Sequence, residues 1–522
     1  MFPAQKTAAQ VGSIPAPVGG WNARDSIANM EQTDAVEMIN FFPSYSNVVL
    51  RGGFTNHATG ISGQVETLMN YSTGTQEKLF AIALKRLIPT PLAQIYDVTT
   101  AGVVGAPVVT SLTNARWEFI NVTTVGGSYL YLVNGVDAPL LYDGTTWASV
   151  TAISTIAITG VTTTSLDNIT LFKNRVWFTQ KESLKAWYLP TNAVGGAAQA
   201  LDLSSIAKFG GHITDVATWT IDAGYGVDDN LVFITSNGEC IVYSGTDPAS
   251  SATWSLIGVW KLGAPIGDRC FMKYGGDILI ITYDGLIPLA ASLQSSRLDP
   301  RVALSNKIQG AITTASNLYA DHFGWQIHYS AKNNAVWVNV PVQEGNNQEQ
   351  YVMNTITKSW CKFQGWKANC WESFGDNPYF GGKNFVGRAW DETYADNKTD
   401  ITTNVLQAFN YFDQRGIKKY FTRARPSLFT DGLPAVLISM NIDYDVSDPT
   451  AALSYSPSAY GVWDVGIWDT SAWGQDLMIT NNWQGVTGIG YCGGVHLKSA
   501  SQTLQLEWAA TDVVYQTGWA GI

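Results

Sequence analysis

Five histidines, His57, His212, His322, His328 and His496, are the first residues to test for chemistry. No two of them stand in an HExxH or other i, i+4 pair, so no helix face carries two imidazoles for a metal ion. The chain has no Gly-x-Ser-x-Gly elbow and no phosphate-binding glycine loop. Isolated histidines of this kind are expected to be structural. No catalytic, cofactor-binding or metal-binding residue is expected, and the chain reads as a non-enzyme.

Carboxylates are the next candidates, because glycoside hydrolysis needs two of them at a fixed separation. Asp143, Asp284 and the pair Asp228-Asp229 each lie in or beside a turn rich in Gly or Asn. There Asp is favoured because its side chain bonds the local backbone. The run Asp143-Gly144-Thr145-Thr146-Trp147 resembles the Asp-box turns of sialidases, but it is one residue short and occurs once.

The sharpest polar feature runs from Lys418 to Arg425 (KKYFTRAR). As a strand it would point Lys419, Phe421, Arg423 and Arg425 to one face and Lys418, Tyr420 and Thr422 to the other. Lys418, Lys419, Arg423 and Arg425 are therefore candidates for contact with DNA phosphate or with acidic groups of a neighbouring subunit. Trp463, Trp468 and Trp473 recur every five residues, with Trp483 beyond them. That spacing fits neither one helix face nor one strand face, so the rings are expected at successive bends, in buried packing or a subunit interface.

The elements that must position these groups are strands. Leu231 to Gly245 reads as a β-hairpin around Asn237-Gly238, a dipeptide that tolerates the positive φ of a two-residue type I′ turn. Similar units start near residues 79, 129, 175, 231, 278, 336 and 379. Two have a further strand twelve residues upstream, at Trp117-Glu118-Phe119-Ile120 and Trp219-Thr220-Ile221. A strand, a loop and a hairpin make most of a four-stranded blade, and serial blades close most economically as a β-propeller. The units at 336 and 379 could be halves of one blade.

The expected fold is all-β: a propeller of about six or seven blades over residues 61–398 and a C-terminal β-sandwich-like domain over 399–522. Residues 1–60 are expected as an extended arm and first strand, with Thr33 capping one helical turn.

Composition agrees with this class, since 14% of residues are charged and 12% aromatic, with 49 Gly and 20 Trp. The formal net charge of −11 gives no general basis for gripping nucleic acid. Cys240, Cys270, Cys361, Cys370 and Cys492 are odd in number and lack CxxC spacing, which favours buried thiols made in a reducing cytoplasm. The first residues lack the apolar run of a signal peptide, and no window suggests a membrane segment.

Two sets of residues carry a family resemblance. Near the start these are Gly19-Gly20-Trp21-Asn22-Ala23-Arg24-Asp25, Thr33-Asp34-Ala35-Val36, Asn40-Phe41-Phe42-Pro43 and Leu50-Arg51-Gly52-Gly53-Phe54. Near the end they are Trp463-Asp464-Val465 to Trp473, Asn482-Trp483-Gln484-Gly485-Val486 and Gly488-Ile489-Gly490-Tyr491-Cys492. Together with the blades between them they resemble the tail nozzle, or tail tube, proteins of short-tailed bacteriophages.

The resemblance implies a virion structural protein made in a bacterial host and assembled as a ring, usually a homohexamer. Its partners would be the head-to-tail adaptor and tail fibres or a tail needle. DNA would pass transiently and non-specifically through the lumen, and the ring would help retain the packaged genome. It implies no cofactor. The alternative is a propeller tail protein that binds or degrades glycans.

Overall fold

The computed structural model describes residues 8–86, 91–222, 227–293, 300–449, 458–459 and 477–518. Strands dominate it, and seven strand groups follow one another around an axis. The first is Gly53–Ser72, Glu77–Lys85, Leu92–Asp97 and Val109–Leu112. The second is Glu118–Thr124, Gly127–Val133, Leu140–Tyr142 and Trp147–Ser149, and the third Leu166–Phe172, Arg175–Gln180, Lys185–Tyr188 and Gln199–Asp202. The fourth is Ile213–Asp222, Val227–Thr235, Glu239–Gly245 and Trp254–Lys261, and the fifth has three strands from Phe271–Tyr274 to Gly285–Pro288. The sixth runs from Gln326–Ser330 to Trp360–Gln364, and the seventh comprises Cys370–Phe374, Asn377–Gly381 and Lys383–Asp391.

Each group's opening strand lies beside the next, and that of the seventh lies beside Gly53–Ser72, so the circle closes. The twenty-residue strand Gly53–Ser72 makes the closure. Its first half pairs with Lys383–Asp391 (Phe54 opposite Ala389), and its second half pairs with Glu77–Lys85 (Met69 opposite Phe80). The arrangement is that of a β-propeller. The seven hairpin starts read from sequence fall on, or within about four residues of, the second strand of each group, and those at 336 and 379 fall in different groups.

The groups cohere through apolar layers between neighbouring sheets, which bury both faces of each blade. Phe80 and Ile82 meet Leu130 and Tyr142, Tyr131 meets Phe178, and Trp177 meets Phe233. Such burial contributes about 1.5–3 kcal/mol per large side chain, which explains near-continuous apolar runs in the second strands.

The 231–245 hairpin forms with a different turn. Gly238 has φ +78° and its N–H bonds Thr235 O at 2.8 Å, whereas Asn237 does not adopt positive φ. The loop is therefore a type I turn ending in a left-handed glycine, and only Gly238 needs the special conformation.

Residues 10–50 differ more from expectation. Gln10–Pro15 pairs antiparallel with Leu506–Thr517 (Ser13 opposite Asp512), and Asp34–Ile39 is a strand where a helical turn was expected. Asp34–Ile39 sits between Trp360–Gln364 and Ile401–Gln407, and this pairing overrides the local preference for a turn of helix. N- and C-terminal strands thus share two sheets. One holds Gln10–Pro15, Phe41–Pro43, Val48–Leu50, Lys419–Thr430, Met478–Thr480, Gln484–Gly490 and Leu506–Thr517. The other holds Gly20–Trp21, Asp34–Ile39, Ile401–Gln407, Ala435–Ile442 and Gly493–Ser501, and it continues directly into the sixth propeller group through Trp360–Gln364. Met38, Phe41, Val405, Phe421, Leu497 and Trp508 belong to one core with Trp337 and Trp360 of the propeller.

Candidate functional site on the propeller axis

Polar residues in or beside the opening strands gather around Arg269, which itself precedes its strand: Glu66 and Thr67, Glu118, Asn168, Asp215, Gln326 and Glu372. Arg269 ties them together. Its Nε donates to Glu118 Oε1 at 2.8 Å, Nη1 to Glu66 O at 3.1 Å, and Nη2 to Thr67 Oγ1 at 2.7 Å and Trp117 O at 2.9 Å. One guanidinium therefore fastens the fifth group to the first and second.

Arg116 is shared between Glu66 (3.1 Å) and Glu344 (2.8 Å), with its guanidinium 4.0 Å from the centre of the Phe323 ring. Asp215 accepts from Asn168 Nδ2 at 2.7 Å and Val216 N at 2.7 Å, and Cys270 Sγ lies 3.7 Å from its other oxygen. Gln326 and Trp371 exchange two bonds of 2.9 Å, joining the sixth and seventh groups.

Burial raises the carboxyls above their ordinary range. Desolvation is the main cause at Glu66, Glu118, Asp215 and Glu372, with nearby Arg116 or Arg269 opposing it at Glu66 and Glu118. Glu372 is pushed up to about 8, so it is largely neutral at pH 7. Two cavities, of about 330 and 200 Å³, meet at Glu118, Asn168 and Arg269, which line both. His212, Asp167, Asp268, Asp321 and His322 line the larger one. Glu118 is paired with Arg269 and Glu66 with Arg116. Among the described residues no group of His, Cys, Asp or Glu is arranged to hold a metal ion.

The sequence candidates lie elsewhere. Lys419 is buried, and its Nζ donates to Gln414 O, Ile417 O and Tyr491 O at 2.6, 3.0 and 2.9 Å. Burial lowers its pKa. It ties a loop to the sheet rather than facing a partner. A β-bulge between Phe421 and Arg423 shifts the register, so Arg423 is exposed while Lys419 and Phe421 point inward. The single face expected for Lys419, Phe421, Arg423 and Arg425 is therefore split. Arg425 pairs with Asp512 (2.6 Å) and stands 4.8 Å from the centre of the Trp483 ring, and exposed Lys418 lies over Tyr491. Trp463, Trp468 and Trp473 lie outside the described residues.

Asp143 is saturated by its own turn, accepting from the backbone and hydroxyls of Thr145 and Thr146 at 2.7–2.8 Å, which holds its carboxyl well below the usual range. Asp229 is not in a turn but in Val227–Thr235, bonded to Thr220 and Lys173. His57, His322 and His328 each bond the fold, and all five cysteines are free and buried. The axial residues escaped the sequence reading because each group contributes only one or two of them, far in the chain from the rest. Their signal is a polar residue in or just before a strand, recurring at the blade period.

No protein-family model matches the chain, and no curated protein is significantly similar to it. Solved structures are similar at low identity. The N-terminal domain of BBS1, in a complex with ARL6, is 11% identical at a TM-score of 0.39 and covers 66% of this chain and 99% of that one. The β-propeller domain of Cps50 (Swd1) from Myceliophteria thermophila is 13% identical at 0.37, covering 64% and 98%. Raptor from Chaetomium thermophilum is 9% identical at 0.39, covering 66% and 29%. The propeller assignment rests on the strand order and the closing strand. No helix among the described residues is long and apolar enough to cross a membrane.

Proposed function

We propose that the chain is a virion structural subunit, the tail nozzle or tail tube of a short-tailed phage, assembled as a ring below the head-to-tail adaptor. One observation supports this beyond the wording of the motifs: the N-terminal residues that carry the resemblance are those that weld propeller to sandwich. Arg51 is 1% exposed and forms a two-pronged pair with Asp396 at 2.5 and 2.8 Å, with further bonds to Asn40 Oδ1, Gly52 O and Gln364 O. Asn22 and Lys307 both bond the buried carboxylate of Asp34, at 2.7 and 2.5 Å. Gly20 has φ +80°, and its α-carbon lies so close to the Trp360 backbone that a Cβ would collide with it. Together with the continuous sheet, these joints tie the two parts to each other through buried bonds, which suits a ring subunit.

Arg269 reaches from the fifth group to the first and second and so bridges the propeller's middle, which favours a ring in which DNA passes between subunits and not through a propeller. Six copies at −11 would carry about −66, which weakens phosphate adhesion to the wall of that passage. The test is electron microscopy and mass measurement of the full chain, alone and with its adaptor. A sixfold ring in register with the adaptor is expected. A chain that stays monomeric with the adaptor present, or that turns over host polysaccharide, would overturn the reading in favour of another role.

A further inference from the structure

His496 is fully buried in the sandwich, and the groups around it dictate its proton content. Asn441 Nδ2 faces two backbone carbonyls, Asp445 O at 3.0 Å and Ser447 O at 2.9 Å. Only the amide nitrogen can face two carbonyls, so Asn441 Oδ1 is the atom turned to His496 Nδ1, at 3.3 Å. Asn404 Nδ2 likewise faces two carboxylates, Glu37 Oε2 at 2.9 Å and Asp448 Oδ1 at 3.0 Å. Its Oδ1 is therefore the atom 2.7 Å from His496 Nε2. Both ring nitrogens face acceptors, and a neutral imidazole has one N–H. The hydrogen-bond pattern is complete only with the imidazolium.

The charges around the ring come from every element packed on it. Asp448 lies 3.7 Å from Nε2, with Asp445 in the same segment. Glu37 reaches in from Asp34–Ile39, itself near Lys362 (3.8 Å), and Lys498 binds Asp448 at 2.6 Å. Burial is the largest influence and, with Lys498, outweighs the pull of Asp448 and Asp445, which lowers the ring to about 4. Against this lowering stand the two acceptors, which a neutral ring cannot satisfy together and which favour the charged form.

We propose that His496 is a proton-dependent latch on the segment 443–449, which leads out of strand Ala435–Ile442. Losing the ring proton leaves one acceptor facing a bare nitrogen. Rotating Asn441 to relieve this breaks its bonds to Asp445 and Ser447. Rotating Asn404 instead breaks its bonds to Glu37 and Asp448. Either way the segment loses tethers, so it is held below the ring's titration midpoint and released above it.

The test is histidine nitrogen NMR and amide hydrogen exchange on the full chain between pH 5 and 9, corrected for intrinsic exchange. Two bonded ring N–H groups are expected at the acid end, with a midpoint inside that window. Exchange protection of 443–449 should fall at least about tenfold through that midpoint. Glu37→Gln supplies a neutral donor that can bond a rotated Asn404, which spares the Asn441 bonds, so its protection should fall less steeply with pH. Asn404→Asp, which sets an anion beside Nε2, should move the midpoint upward. A singly protonated ring at pH 5, protection that ignores pH in the parent chain, or an unshifted midpoint in Asn404→Asp would each overturn the latch.

Discussion

Arg51 and Arg269 are both almost withdrawn from water, yet they serve different ends. Arg51 meets one carboxylate, three further acceptors and the Trp366 ring at 4.9 Å, with its charge matched by Asp396. Arg269 meets one carboxylate directly, in a cluster where Glu66, Asp215 and Glu372 add acid beyond what it can balance. A buried cation with matched partners makes a joint. A buried cation among excess carboxyls makes a site whose stability depends on protons.

Breaking the joint should cost most. Arg51→Met leaves Asp396 unpaired, and removing one partner of a buried pair typically costs about 3–5 kcal/mol. Calorimetry should show a large fall in Tm, and separation of sandwich from propeller unfolding would show that this joint couples them. Arg269→Met is expected to cost less, about 2–3 kcal/mol at pH 8, because Glu118 can relieve its charge by taking a proton. The deficit should shrink at pH 5, and a pH-independent loss would show that Arg269 is only a packing element.

Glu372→Gln sharpens the contrast through its sign. The folded pKa of Glu372, about 8, lies above its unfolded value, so its favourable contribution is complete below about 4.5 and lost as pH rises through 8. The variant should match the parent at pH 5 and melt higher at pH 9. Equal melting at both pH values would mean that Glu372 is solvated. Gly20→Ala acts at the joint without touching charge, and strain at a positive φ against the Trp360 backbone should cost about 1–3 kcal/mol by denaturant titration. The smallest effect is expected at exposed Lys418. Lys418→Ala should change stability by less than about 0.5 kcal/mol, whereas Lys419→Met should cost more by orphaning three carbonyls.

The repeat was legible because a hairpin writes itself in a dozen consecutive residues, as at 231–245. The closing strand was not, because Gly53–Ser72 looks like any other strand until its two halves find partners more than three hundred residues apart. Asp34–Ile39 was misread for the same reason: its acidic first residues suit a helix start, and only strands from 360–364 and 401–407 make it a strand.

By itself the sequence determined the class and the blade period, since strand propensity and turn chemistry are local properties. It also supplied the basic run, but alternation alone cannot show the bulge at Phe421–Arg423 that sends Lys419 inward and Arg423 out. Tertiary structure alone decided the shared sandwich, the Arg51–Asp396 joint, the axial ring around Arg269 and the enclosure of His496. Each brings together residues that are distant in the chain, and the energy that fixes them, burial of charge against a matching partner, exists only after the chain has closed on itself.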